Sequence, residues 1–291
     1  PKDLLTIRGI QYPLEIVSSY LLNYMIITIL SDFGDLYSAS MKGVIIGISP
    51  AAIILDISHH VPRHDVRAGA FMLMACSRYF PSGTAHIAVV DPGVGTKRRA
   101  IAVVAGSRGT GAHYFIGPDN GLLIPAARSI GEFEVYEITN RKLFNTEVSS
   151  TFHGRDIFAP VAAHISKGID ICDVGKKISD YIDLDFGNGM NMGNSLDGTV
   201  IFIDEFGNIV TNIQSMIVDF QQNDVMEIEN KCVRFQRSYG FCEEGEPLAL
   251  IGSHGYLEIA VNRGNASVFF DKKQGDDISI KIHGIINSRV D

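Results

Sequence analysis

From residue 25 to residue 166, short apolar runs alternate with stretches of helical periodicity. Apolar runs fall at residues 25–30, 53–57, 85–90, 101–105, 114–116 and 134–138. Apolar positions at helical spacing fall at 37–48, 65–79 and 157–166. A strand that is apolar along its whole length needs cover on both faces. Strands of that kind separated by helices specify a mostly parallel sheet flanked by helices, an α/β fold. The glycines at 106–111 read as a turn between two strands.

The pattern changes at residues 186–195, FGNGMNMGNS, which has no period and reads as a linker. Beyond it come short β-rich runs at 199–203, 209–213, 225–228, 248–251, 256–261 and 278–282, with no helical periodicity. This half is expected to be a smaller antiparallel, barrel-like β domain. Four segments follow: an N-terminal extension at 1–24, an α/β domain at 25–185, the linker at 186–195 and the β domain at 196–291. In the extension, Leu14, Ile16, Val17, Tyr20, Leu21 and Tyr24 lie at helical spacing after Pro13. Lys2, Asp3, Arg8 and Glu15 argue against a signal peptide, and Met25 is a candidate native start.

A chain of 291 residues can bury roughly three quarters of its unfolded surface and needs no covalent staples. Its four cysteines form no C-x-x-C pair, which suits reduced thiols in the cytoplasm. A net charge of −8 lacks the basic excess of a nucleic-acid binder. No apolar run reaches the roughly 18–20 residues of a membrane span. Neither nucleic acid nor membrane is an expected partner.

Common chemistries find little support. Gly93 and Gly95 follow a strand, but Arg98 stands where a dinucleotide fingerprint needs its third glycine, and there is no Walker A pattern. His59, His60 and His64 could suggest a metal, yet Pro62 forbids a regular helix between the last two. No metal site is expected. A nucleophilic serine would want a G-x-S-x-G elbow, which is absent.

Polar clusters instead recur where strands end: Ser31 to Asp35, Asp56 with His59, Asp91, and Pro118 to Gly121. Another, Ser150 to Asp156, precedes a helix. In open parallel sheets, ligands collect outside the carboxyl ends of the strands. Each cluster alone is explained by turn formation or helix capping. Five on one edge point to a site. In the β-rich half, Asp204-Glu205-Phe206-Gly207-Asn208 is either a hairpin turn or an acid beside a ring and an amide suited to a nucleobase.

The motifs SDFG…MKG, VVDPGVGTKRR, PDNGLL, STFHGRDIFAPVAAH and IDEFGNIVTNI occur in that order. On these the chain resembles the S-adenosyl-L-methionine (SAM) hydrolases that form adenosine. They are also called SAM hydroxide adenosyltransferases and are related to SAM-dependent fluorinases and chlorinases. The resemblance implies a larger N-terminal α/β domain and a smaller C-terminal β domain. It also implies a homotrimer with each SAM held between subunits, and no cofactor beyond the substrate. The implied products are adenosine and L-methionine.

The resemblance further implies an Asp-Arg-His catalytic set at Asp91, Arg98 and His153. The halogenases carry tyrosine at the positions of Asp91 and His153, and serine at that of Gly154. It assigns Asp32 to the ribose hydroxyls, Asp35 and Asp204 to the methionine ammonium, and Phe206 and Asn208 to adenine. His64 stands where the halogenases place a ring beside the sugar, and Thr151 joins the substrate-binding set. The chain departs from its relatives between Asp32 and Lys42, where it is shorter by two residues. It departs again at His254, where the halogenases have an arginine for the methionine carboxylate; Ser253 could share that role. Three alternatives stay open at this point: a SAM- or adenosine-binding regulator, a halide-using adenosyltransferase, and a structural trimer whose polar loops are only caps.

Overall fold

Two short strands, β1 (Leu4–Ile7) and β2 (Ile10–Pro13), pair as an antiparallel hairpin ahead of the first long apolar run. The computed structural model describes residues 4–7, 10–13, 25–107 and 111–282. The helical spacing at 14–24 lies outside the described residues. Chain contacts divide the protein into two compact units, Pro1–Leu184 and Asp185–Asp291.

In the first unit the order is β3 (Ile26–Ser31), α1 (Gly34–Ile48), β4 (Ile53–Ser58), α2 (Val66–Ser77), β5 (Ala85–Val89), β6 (Ala100–Ala105) and β7 (His113–Pro118). Then come α3 (Ile124–Ile130), β8 (Phe133–Ile138), a π-helical turn (Gly154–Phe158), α4 (Ala159–Ser166) and β9 (Gly175–Ile178). One sheet runs β4-β3-β5-β7-β6-β8-β9. The block β4-β3-β5-β7 is parallel, and β6, β8 and β9 extend it antiparallel. Strand β6 pairs antiparallel with β7, so the antiparallel half begins there.

The central parallel strands β3 and β5 are buried almost from end to end because helices cover both their faces, while edge strand β4 leaves Ile53 and Leu55 exposed. Ile27, Ile29, Ile87 and Val89 pack with Met41 and Ile45 of α1 and with Phe158 to Ile165 around α4. On the opposite face α2 packs on α3. There Gly69 lies so near Leu122 and Val90 that a Cβ would sit 2.9 and 3.0 Å from their methyls. Each fully buried large side chain contributes about 1.5–3 kcal/mol. Asp65 caps α2 by accepting from the Ala68 N–H at 2.8 Å.

In the second unit the order is β10 (Met190–Asn191), β11 (Ser195–Ile203), β12 (Ile209–Gln214), β13 (Val225–Ile228), β14 (Lys231–Phe235), β15 (Pro247–Ile251), β16 (Tyr256–Val261), α5 (Ala266–Phe270) and β17 (Asp277–Ile282). Pairing of β11 with β17 closes seven strands into a barrel, with β10 appended to β11. Closure removes the open edges that a small sheet would otherwise expose. The pairings are antiparallel except β14 with β15. Leu196, Val200, Ile209, Met226, Leu257 and Ile280 fill the interior.

Three features differ from the sequence reading. Helices α3 and α5 have seven and five residues, too short to display a period. Within residues 186–195, Phe186 is buried, its carbonyl accepts from Asn212 Nδ2 at 3.0 Å, and Met190–Asn191 pair with β11. The helix expected at 157–166 begins as the π-helical turn, where the Ala159 N–H donates to Gly154 O. Among the described residues, no helix is long and apolar enough to cross a membrane.

Candidate active site

Strand β5 ends at Val89, and two residues later Asp91 leaves the carboxyl edge of the parallel block. The chain then turns through Gly93 and Gly95. Gly95 has φ +75°, and a Cβ there would sit 2.1 Å from Ser150 O. Only glycine permits both that backbone and that approach. The contact seats the 91–99 loop against the segment leading to His153.

Three polar side chains converge there. Arg98 Nε donates to Asp91 Oδ1 at 3.1 Å, and Arg98 Nη2 donates to Asp91 Oδ2, forming a fork. Nη2 also lies 3.1 Å from His153 Nδ1. Nη1 donates to the Arg99 carbonyl at 2.8 Å. The Asp91 and Arg98 side chains are only 5% and 8% exposed, so the pair is shielded from solvent. The guanidinium stands over the Phe158 ring, 5.5 Å from its centroid.

A guanidinium donates and never accepts, so His153 Nδ1 must be the acceptor and the neutral ring carries its proton on Nε2. Burial, then the Arg98 cation, hold the His153 pKa below its ordinary value; Asp91 and Asp156 offset part of this. Arg155 and Asp156 flank the site through a second fork, Nε to Oδ1 at 2.7 Å and Nη2 to Oδ2 at 2.9 Å. Asp156 also accepts from the Ser149 N–H at 2.8 Å, which ties down the loop before His153. Thr151 is exposed in that loop, its hydroxyl 3.1 Å from Ser149 Oγ.

Asp32 follows β3 on the same edge. Its Oδ2 accepts from the His64 N–H at 2.8 Å, and His64 holds a left-handed φ of +65°. A non-glycine residue in that region costs about 1–3 kcal/mol and tends to mark functional sites. Beneath it, Ser31 Oγ lies 2.8 Å from His59 Nδ1, and His59 Nε2 lies 3.0 Å from Asp56 Oδ1. Ser31 is fully buried, so this serine, histidine and acid brace the strand ends. Asp35 sits exposed in the first turn of α1. Beside it Phe33, Tyr37 and Phe152 meet edge to face, with centroids 5.4–6.1 Å apart.

In the second unit, Asp204 Oδ1 accepts from the Phe206 and Asn208 N–H groups at 2.9 and 2.8 Å, and Oδ2 accepts from Asn208 Nδ2 at 2.9 Å. Asp204 therefore shapes its own turn. Phe206 projects outward, 79% exposed. Asp204, Phe206 and Asn208 line a cavity of about 490 Å³ together with Tyr239, Val261, Arg263 and Gly264. Tyr239 donates to Glu258 Oε1 at 2.6 Å, and His254 Nε2 lies 3.2 Å from Glu258 Oε2. Burial and the Glu258 hydrogen bond push the Tyr239 phenol well above its ordinary pKa. Ser253 precedes His254 in the turn between β15 and β16.

Sequence reasoning missed Tyr239 and Glu258, whose pairing is spatial. The one available signal was a lone acid inside the apolar run Leu257-Glu258-Ile259. Pro118-Asp119-Asn120-Gly121 serves the loop architecture: Asp119 is buried, with Oδ2 accepting from Arg99 Nε at 2.9 Å and Oδ1 from the Ile182 N–H at 2.8 Å. Among the described residues, no group of three or more histidines, cysteines and acids is placed to hold a metal ion.

A mixed α/β sheet with an Asp-Arg-His set at the carboxyl edge of its parallel block, followed by a closed β-barrel unit, defines a class of two-unit α/β proteins. Residues 27–175 match the SAM hydroxide adenosyltransferase N-terminal domain, and residues 198–279 match the C-terminal domain of the same family. The chain belongs to the SAM hydroxide adenosyltransferase family. It is 35% identical over 259 residues to an (R)-S-adenosyl-L-methionine hydrolase of Salinispora tropica, covering 87% of this chain and 97% of that one. It is 29% identical over 290 residues to a fluorinase of an Actinoplanes species, covering 88% and 97%. A crystal structure of an uncharacterized conserved protein from Thermotoga maritima matches with a TM-score of 0.80 and 39% identity, covering 88% of this chain and 99% of that one.

Proposed function

We propose that the protein hydrolyses SAM to adenosine and L-methionine by in-line attack of water on ribose C5′. The observation that carries this reading is the convergence of Asp91, Arg98 and His153 at the edge of the parallel block. It is supported by relatives named as SAM hydrolases. The O–C5′ bond forms as the C5′–S bond breaks. The electron pair goes to sulfur, which leaves as a neutral thioether, and one proton leaves the water.

A stored hydroxide is not required. A cation about 4 Å away at an effective dielectric near 20 contributes about 4 kcal/mol. That is about three decades of ionisation, against a water pKa of about 15.7. Arg98 is moreover committed to Asp91, His153 and the Arg99 carbonyl. Its role is to fix its neighbours. Asp91 orients the water and accepts its proton as the bond to carbon forms; His153 offers the Nε2–H as a donor to the same water. Orientation of this kind can supply roughly 7–11 kcal/mol.

Asp32 accepts from the ribose hydroxyls, with His64 beside the sugar. Asp35 and Asp204 face the ammonium of a cationic substrate, where charge-assisted hydrogen bonds are strongest. Phe206 and Asn208 address adenine, Thr151 lies in the substrate loop, and Ser253 with His254 receives the methionine carboxylate. In this reading the active form is a homotrimer in which one subunit's first unit and a neighbour's second unit complete each site. The four cysteines form no disulfide with one another, which favours a reducing cytoplasm.

The test is incubation of the protein with SAM in ¹⁸O-water, followed by chromatography and mass spectrometry. Adenosine carrying one ¹⁸O at the 5′ position, with equimolar methionine, is the expected result. SAM binding without product would overturn the reading, and 5′-halogenated product in halide buffer would replace it.

A further inference from the structure

We infer that Asn120 is a positioning residue for the hydrolysis proposed above, and that it acts by holding the strand end from which Asp91 projects. The inference rests on that functional reading but has a readout of its own. In the sheet, β7 lies between β5 and β6. The loop at residues 90–99, which joins β5 to β6, therefore arches over the carboxyl end of β7. The residues leaving β7 emerge under the arch and bind both of its ends.

At one end, Asn120 Nδ2 donates to Val90 O at 2.8 Å, immediately before Asp91. At the other, the Asp119 N–H donates to Arg99 O at 2.9 Å, the same carbonyl that receives Arg98 Nη1 at 2.8 Å. Asp119 Oδ2 accepts from Arg99 Nε at 2.9 Å as well. Two consecutive residues of β7's exit thus pin the residue before Asp91 and the residue after Arg98. The ladder between β5 and β7 ends at Ile87 and Ile116, so the Asn120 amide extends the connection beyond the last backbone pair. Gly117 lets the strands close together there: a Cβ on it would stand 2.3 Å from Ala88 O.

The chemistry demands an amide at this position. Asn120 donates to Val90 while its Oδ1 accepts from the Leu122 N–H at 3.2 Å. A carboxylate can accept from Leu122 but cannot donate to Val90. Asn120 touches neither Asp91 nor the reacting atoms; it acts through the carbonyl that precedes the acid.

The experiment compares Asn120→Ala and Asn120→Asp with the parent protein. It measures kcat and KM for SAM, the thermal midpoint, and hydrogen exchange of the Arg98 Nε–H by ¹⁵N NMR. A displacement of about 1 Å can cost about 100-fold in rate, so both variants should lose about 10- to 100-fold in kcat with KM within about threefold. Arg98 Nε–H exchange should quicken about tenfold or more in both, because the Asp91 fork loosens. If Asn120→Asp keeps the parent kcat and Arg98 protection, only the turn at Leu122 matters and the inference is overturned. A loss confined to the thermal midpoint overturns it too. Should the parent release no adenosine, the hydrolysis reading fails by itself, and the exchange measurement still decides whether Asn120 holds the Asp91–Arg98 pair.

Discussion

Arg98 and His153 meet through Nη2 and Nδ1 at 3.1 Å, a contact that leaves the imidazole proton on Nε2. The donor nitrogen can be identified by substitution. A glutamine amide reaches the Nε2 position, whereas an asparagine amide reaches only Nδ1. His153→Asn should lose about 100-fold or more in kcat, and His153→Gln should lose less. Protonation at Nδ1 would turn that nitrogen against the Arg98 guanidinium, and burial and Arg98 hold the histidine below its ordinary pKa, so its contribution to the acid limb of kcat/KM should lie below pH 6.5 and be lost in His153→Gln. Equal losses in the two variants would remove the donor role.

Asp91→Asn keeps the shape of the side chain and removes its charge. Both partners are buried, so the unpaired guanidinium should destabilise the protein by about 3–5 kcal/mol. Turnover should drop by about 100- to 10,000-fold. SAM affinity, measured by calorimetry, should stay within about tenfold, since Asp91 faces water in this mechanism. A tight loss of affinity with normal turnover would reassign Asp91 to substrate binding.

Gly95→Ala tests the seat of the catalytic loop. The added methyl would overlap Ser150 O and force an unfavourable backbone at φ +75°. The strain should cost about 1–3 kcal/mol in chemical denaturation. Activity should fall along with stability, because the same contact brings the 91–99 loop to His153. Unchanged activity in a destabilised variant would separate the loop seat from the chemistry.

Phe206→Ala separates a binding contact from a folding contact. The ring is 79% exposed, so stability should change by no more than about 0.5 kcal/mol. Loss of a stacking partner for a base costs about 1–3 kcal/mol, so KM for SAM should rise about 5- to 100-fold. An unaltered KM would take Phe206 out of the adenine site.

His86 predicts how acid unfolds the first unit. It is buried between Thr28 Oγ1 at 2.8 Å and His113 Nδ1 at 3.0 Å. Burial, then the neighbouring His113, push its pKa down to about 3. The unfolded chain takes up this proton near pH 6.5, while the folded chain resists until about pH 3. Stability should therefore decline as pH falls from 6.5, by up to about 1.4 kcal/mol per pH unit for this group. In His86→Phe the slope of the denaturation midpoint between pH 6.5 and 4.5 should be shallower, whatever the variant's absolute stability. An identical slope would show that His86 is protonated in the native state.

The alternation of apolar runs made the parallel block and its helices legible, because strands covered on both faces must be largely apolar. It also placed Asp32 and Asp91 at strand ends, since an acid that terminates such a run has to leave at an edge. The π-helical turn beside His153 was not legible: residues 154–156 read as part of the polar segment before a helix at 157–166, and the i→i+5 bond has no compositional mark. Nor was the division of labour within Pro118-Asp119-Asn120-Gly121, because the sequence does not reveal that β7 inserts between β5 and β6. In the second unit the turn at Asp204 was legible as a turn, while the pairing of Tyr239 with Glu258 depends on how distant strands close the barrel.

The arch of the β5–β6 loop over β7 limits how this chemistry could be re-engineered. Grafting a halogenase version of the segment around Asp91 would replace one piece of an interlocked cassette, whose keystone residues bond to it across 20 and 30 positions of the chain. A transplant would have to carry residues 117–120 along with residues 90–99, and variants drawn from either stretch alone should combine poorly.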